Sequence, residues 1–197
     1  MPYPSDHKPQ VRARIVTRAR ELFTRRGFTE VSIDEIMAAA GLTRGGFYNH
    51  FKTKDELYAE TLAAYASARR DEAPTDPCEY GPELARQLLS QYVSRQHLDN
   101  VDGHCPLMAL PSDVSRAGPA VRAAYKEVLE ALSGMFEACL GEGKDATARQ
   151  RGLAIAATCV GAMVLARTID DEALADEVCE AARAFAGDFM EPAAVDA

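Results

Sequence analysis

Between residues 43 and 54 the chain reads TRGGFYNHFKTK, and its polar side chains are mostly hydrogen-bond donors of the kinds that duplex DNA accepts. The Arg44 guanidinium is a planar fork that donates twice to guanine O6 and N7, and the Asn49 amide has the matching donor and acceptor for adenine N6 and N7. The Tyr48 hydroxyl suits a phosphate oxygen. His50 suits either a phosphate or an internal hydrogen bond. Lys54 sits where a new helix begins, and the helix dipole disfavours a cation there. That placement points to an external anion, which the backbone N–H groups of the same helix start would also bind. Gly45 and Gly46 each cost a helix about 1 kcal/mol relative to Ala. What they offer is close approach of backbone to DNA.

These donors need a scaffold, and residues 32–58, SIDEIMAAAGLTRGGFYNHFKTKDELY, describe one. Ser32 with Glu35 three residues later is a capping box. Ile33, Ile36, Met37 and Ala40 follow at helical spacing. Gly41 suits the left-handed position past a helix end. Thr43 caps a second, very short helix reaching about His50. Phe47 and Phe51 point inward, which leaves Arg44, Gly45, Tyr48 and Asn49 outward. Thr53 and Glu56 repeat the capping box and start a third helix. Two helices joined by so short a turn are a helix-turn-helix over about residues 32–51.

The matching residues Ser32, Ile36, Ala40, Gly41, Thr43, Gly45, Phe47, Tyr48, His50, Phe51, Lys54, Asp55 and Leu57 resemble the motif of the tetracycline-repressor (TetR/AcrR) family of bacterial transcriptional regulators. Met37 departs from it at a core position where Ala is more usual. The resemblance is specific over roughly residues 10–60. It implies phosphate contacts from Thr43, Tyr48, His50 and Lys54, and Arg44, Gly45, Gly46 and Asn49 join them as expected DNA contacts on the chemistry given above. It also implies three helices that bind DNA, and six more that bind an effector and dimerise.

Composition agrees with that outline. The net charge is −8, which by itself argues against a nucleic-acid partner. Residues 1–54 nevertheless hold ten Lys/Arg against five Asp/Glu, whereas residues 55–197 hold twelve against twenty-five. A basic head on an acidic body is the asymmetry expected when only the head meets phosphate. The polar N-terminus MPYPSDHKPQ has no signal-peptide pattern. The longest uncharged run, Gly152–Ala166, is short of the ~20 apolar residues a bilayer span needs, so it reads as a buried helix. The expected compartment is the cytoplasm. Five cysteines, Cys78, Cys105, Cys139, Cys159 and Cys179, form no metal-binding spacing and read as reduced thiols. No metal or other cofactor is expected.

Periodicity predicts an all-α chain of about nine helices, divided into a DNA-binding domain (1–53) and an effector-binding and dimerisation domain (54–197). The first helix runs from Pro9 to Arg26, with an apolar stripe of Val11, Ile15, Ala19, Leu22 and Phe23 amid six arginines. The fourth runs from Lys54 to about Arg70. DEAPTDPCEYGP breaks it, and a fifth fits Glu83 to about Leu98. Residues 99–119 hold one or two short helical pieces. Long helices follow over Pro119–Leu140, Ala148–Arg167 and Asp171–Met190, with GEGKD as a turn and EPAAVDA as a frayed tail.

The body is less informative. Tyr65, Tyr92, His104, Cys105, Leu107, Met108, Tyr125, Phe136, Cys139 and Met163 are candidates for an effector pocket between helices, with ordinary core as the alternative. His104, Cys105 and Asp113 are its polar candidates. Cys105, between His104 and Pro106, admits two readings: a reactive thiol sensing oxidants or electrophiles, or an inert buried cysteine. Leu153, Ala156, Ala157, Val160, Gly161, Val164, Leu174, Val178 and Phe185 are the expected homodimer interface. Such a dimer sets two recognition helices ~34–36 Å apart, which requires a palindromic operator. The function expected is a repressor released from that operator by a small molecule. A helical enzyme finds no support, because the chain has no nucleophile elbow, metal cluster or phosphate-cradling glycine loop. A general architectural DNA-binding protein would be basic throughout.

Overall fold

A computed structural model describes residues 7–141 and 146–190. Helix α1 spans His7–Arg26, with Val11, Ile15, Val16, Ala19 and Phe23 buried along one stripe. It stops at Gly27, which takes φ +83° and returns its N–H to the Phe23 carbonyl at 2.8 Å. Helix α2 spans Ile33–Ala39 behind a complete capping box. Glu35 N–H donates to Ser32 Oγ at 3.2 Å, and Glu35 Oε2 accepts from Ser32 N–H at 2.8 Å. Gly41, at φ +68°, makes the left-handed turn expected of it.

The short second helix of the motif is a 3-10 helix, Arg44–Asn49. Two adjacent glycines in six residues leave too little helical propensity to sustain an α-helix. Thr43 occupies the cap position with extended backbone, but its side chain makes no capping hydrogen bond, contrary to the sequence expectation. Helix α3 spans Lys54–Asp71. Thr53 Oγ1 accepts from Glu56 N–H at 3.0 Å as expected. The Glu56 carboxylate instead reaches one residue further back, to Lys52 N–H at 2.8 Å.

The rest is helical among the described residues: α4 (Pro82–Tyr92), α5 (Arg95–Asp99), α6 (Pro106–Ala109), α7 (Pro111–Arg116), α8 (Pro119–Leu140), α9 (Ala146–Thr168) and α10 (Glu172–Asp188), with short 3-10 turns at Pro77–Glu79 and Val101–Gly103. The expected all-α class holds. The single helix expected over Glu83–Leu98 is two, because Arg183 of α10 draws the Val93 carbonyl out at 2.6 Å and Ser94 caps a new start through His97 N–H at 3.1 Å. The irregular stretch contains α6, α7 and a 3-10 turn. Most of the expected GEGKD turn and the whole EPAAVDA tail lie outside the described residues.

Packing divides the chain into two units. The first comprises residues up to Ser67 together with Asp102–Val128. Its centre is an aromatic cluster in which Phe28 stacks on Tyr58 at 4.5 Å and Phe23 meets Tyr58 edge-on at 5.2 Å. The second comprises Ala68–Val101 together with residues from Leu129 onward. There α10 packs small residues inward, Ala175, Cys179, Ala182 and Ala186. Helix α9 buries Gly152, Ile155, Ala156, Cys159, Ala162, Met163 and Ala166. By length and composition α9 is apolar enough to cross a bilayer, and 39% of that apolar stretch is buried within the fold. A Cβ on Gly152 would lie 2.7 Å from the Ser133 carbonyl oxygen, so glycine is what lets α9 press onto α8.

Candidate nucleic-acid interface

The 3-10 helix presents one face outward. Phe47 and Phe51 are buried beneath it, their ring centroids 5.6 Å apart. Arg44, Gly45, Tyr48 and Asn49 are exposed. Among the described residues Tyr48 is the most exposed large apolar side chain, at 60%, held edge-on to Phe47 at 5.3 Å. An aromatic ring left in water on so small an element gains nothing from the fold. Gly45 points the same way. Its φ is not positive, and a Cβ there would meet nothing within 4 Å. Gly46 would place a Cβ in ordinary contact with Met37 Cε at 3.5 Å. Nothing inside the fold therefore demands glycine at either position.

Arg44 Nη1 donates to Asp34 Oδ2 at 2.9 Å, across the turn from the start of α2. The sequence reading missed Asp34. An acidic residue in the first turn of a helix has an ordinary dipole explanation, so residue type alone gives no signal of the pairing.

Two expectations change. Lys54 does not need an external anion to explain it. Its ammonium donates to the Phe28 carbonyl and lies 4.2 Å from the Phe28 ring centroid, while burial lowers its pKa. Asp113, expected among polar pocket groups, instead accepts from Phe28 N–H at 2.8 Å. The turn leading into the helix-turn-helix is thus held at its carbonyl by α3 and at its N–H by α7. His50 is half-buried, and its carbonyl accepts from Arg12.

Four arginines of α1 are engaged inside the first unit. Arg12 pairs with Glu60, its Nε at 2.9 Å, and lies 4.0 Å over the Phe51 ring. The hydrogen bond to Glu60 raises its pKa. Arg18 pairs with Glu21 at 2.8 Å, Arg26 with Glu35 at 2.6 Å, and Arg25 with Asp102. These contacts position the head. Ser32 N–H and Arg26 together hold the Glu35 carboxylate down to about 2.

The ten effector-pocket candidates are distributed over both packing units. A groove of about 260 Å³ in the second unit is lined by Arg69, Arg70, Ala73, Glu130, Ala131, Gly134 and Met135, none of them a candidate. Phe136 and Met163 are wholly buried core, and Leu107, Met108 and Cys139 nearly so. The Tyr125 hydroxyl donates to the Leu107 carbonyl at 3.0 Å. Tyr92 meets His97 edge-on at 5.0 Å, and Tyr65 lies beneath Arg20 at 5.9 Å. His104 and Cys105 are 3% and 2% exposed. A thiol so buried has no ready access to an oxidant, which favours the inert reading.

On α9 and α10 the expected interface residues divide by exposure. Ala156 packs inward, against expectation. Ala157, Gly161, Leu174 and Phe185 are exposed, while Leu153, Val160, Val164 and Val178 are half-buried. Leu165, not anticipated, is exposed as well, and so is Phe189, which helical spacing puts on the same face as Phe185.

Comparison with known proteins places this geometry. A family model described as bacterial regulatory proteins, tetR family, matches residues 15–61. The HTH-type transcriptional repressor DhaR of Mycobacterium sp. (strain GP1) is 24% identical over 145 residues, 73% of this chain and 72% of that protein. The HTH-type transcriptional regulator AcrR of Shigella flexneri is 43% identical over 94 residues, 44% of either chain. A solved TetR-family regulator from Agrobacterium tumefaciens shares the fold with TM-score 0.72 at 21% identity, over 91% of this chain and 98% of that one. The family model spans the segment that carries Arg44, Tyr48 and Asn49, and together with these relatives it identifies that segment as a DNA-binding unit of the kind found in tetR-family bacterial regulatory proteins and the protein as a DNA-binding regulator of transcription.

Proposed function

We propose that the protein binds a palindromic DNA operator as a homodimer and represses transcription until a small-molecule effector releases it. The observation that carries this reading is the outward face of the 3-10 helix, where Arg44, Tyr48 and Asn49 stand exposed around a glycine that the fold does not require. Arg44 and Asn49 read base edges in the major groove. Thr43, Tyr48 and His50 contact phosphate, and Gly45 and Gly46 admit the backbone to the groove. Lys54 acts beside them by fixing the Phe28 turn. In this reading residues 1–53 form the DNA-reading part and residues 54–197 the effector-binding and dimerising part.

The exposed apolar surface of α9 and α10 supports dimerisation. Leu165, Leu174 and Phe185 are each more than 40% exposed, next to the small residues Ala157 and Gly161. A partner's equivalent helices would complete a four-helix interface. One six-residue reading element contacts too few bases for operator specificity, and a twofold pair doubles the number. Helix α3 carries the signal: its 18 residues span about 27 Å, from the DNA-reading turn into the body. An effector that favours a splayed pair of heads lowers DNA affinity by its difference in affinity for the two states. The protein is then a cytoplasmic regulator and not an enzyme.

Binding-site selection followed by footprinting of the full chain tests the proposal. The expected product is an inverted repeat whose half-sites lie one helical turn apart. Recovery of unrelated sequences with no dyad would refute it.

A further inference from the structure

We infer that Asp34 is a specificity-determining residue, holding the Arg44 guanidinium in the pose in which it reads a guanine. The inference rests on the reading of Arg44 as a base contact. Asp34 and Arg44 lie ten positions apart and meet at 2.9 Å across the turn between α2 and the 3-10 helix. Both side chains are more than half exposed. An ion pair so exposed contributes little to folding, so stability does not explain it. Capping does not explain it either, because Glu35 makes both reciprocal bonds of the α2 capping box. On a surface that approaches phosphates, a carboxylate is repelled. The helix dipole accounts for an acid at Asp34 but not for its pairing with Arg44, which needs a different gain.

The geometry supplies one. The contact uses Nη1 alone, and a guanidinium has five N–H donors in a fixed fork. The other donors remain for guanine O6 and N7. Arginine has many rotamers to lose on binding, and a carboxylate that already restrains them reduces the loss at the moment of recognition. Asp34 touches no base in this account; it acts through Arg44. It also disfavours duplexes that offer Arg44 no guanine, because on those the carboxylate still faces phosphate and nothing offsets the repulsion.

The test measures binding of the full chain to the selected operator, to operators substituted at each half-site position, and to random duplex at one salt concentration. Asp34→Ala is expected to lower discrimination at a single base-pair position by about two- to tenfold, while binding random duplex more tightly. Asp34→Asn, which keeps the shape and one acceptor oxygen, is expected to fall between wild type and Ala. Arg44→Ala is expected to abolish discrimination at that same position, and adding Asp34→Ala to it is expected to change nothing there. Equal losses on operator and random DNA would mean a merely structural role and overturn the inference, as would undiminished discrimination in Asp34→Ala. If Arg44→Ala itself leaves discrimination intact, the reading of Arg44 fails first. The two failures are therefore distinguishable.

Discussion

Asp113 Oδ2 accepts a hydrogen bond from the backbone N–H of Phe28 at 2.8 Å, joining residues 85 positions apart. Gly27, at φ +83°, is what permits the approach: a Cβ there would stand 3.0 Å from the same oxygen. Asp113→Ala leaves the Phe28 N–H without its acceptor, at a cost of about 1–3 kcal/mol. Gly27→Ala adds a left-handed strain of ~1–2 kcal/mol and crowds the carboxylate. Chemical denaturation should show both losses. Wild-type stability in both variants would contradict the assignment.

The Tyr58 hydroxyl is buried with no hydrogen-bond partner among the described residues, and burial pushes its pKa above the ordinary phenol value. Its ring does the packing, stacked on Phe28. Removing an unsatisfied hydroxyl relieves a desolvation penalty of about 1–3 kcal/mol. Tyr58→Phe should therefore melt at or above the wild-type temperature. A clear fall in Tm would mean that the hydroxyl has a partner.

Glu35 gives a pH dependence of known sign. Its folded value, about 2, lies below the ordinary 4.5, first because Ser32 N–H donates to it and then because Arg26 does. A depressed carboxylate stabilises fully above its unfolded pKa, and that contribution disappears as pH falls through the folded value. Glu35→Gln should therefore be less stable than wild type at pH 7, with the gap narrowing toward pH 2. A gap that widens on acidification would contradict the capping geometry.

Much of this was legible in the sequence because its signals are local. The Ser32–Glu35 box, the Gly41 turn and the burial of Phe47 and Phe51 follow from capping chemistry and helical spacing within a few residues. What was not legible depends on distant partners. The break at Val93 is set by Arg183, 90 residues away. Lys54 read as an anion binder because the sequence does not reveal the Phe28 carbonyl. Asp113 read as pocket lining for the same reason. Ala156 fell into a face with exposed neighbours because periodicity marks an apolar stripe without saying whether the same chain or a second copy covers it.

The exposed face of α9 and α10 makes a prediction about assembly. Phe185 is 56% exposed and in edge contact with Phe189 at 5.0 Å, and Gly161 has open space over its Cα. Phe185→Glu should shift the protein toward monomer in sedimentation, and Gly161→Leu should weaken the dimer without lowering the monomer's helicity. A wild-type sedimentation profile for both variants would remove α9 and α10 from the interface.

The most direct test of the central claim is the affinity of Arg44→Ala and Tyr48→Ala for the selected operator and for random duplex. Arg44→Ala should lose roughly 1–3 kcal/mol on the operator, concentrated at one base pair, and far less on random DNA. Tyr48→Ala should weaken both about equally, as a phosphate contact does. Operator affinity unchanged in both variants would contradict the account.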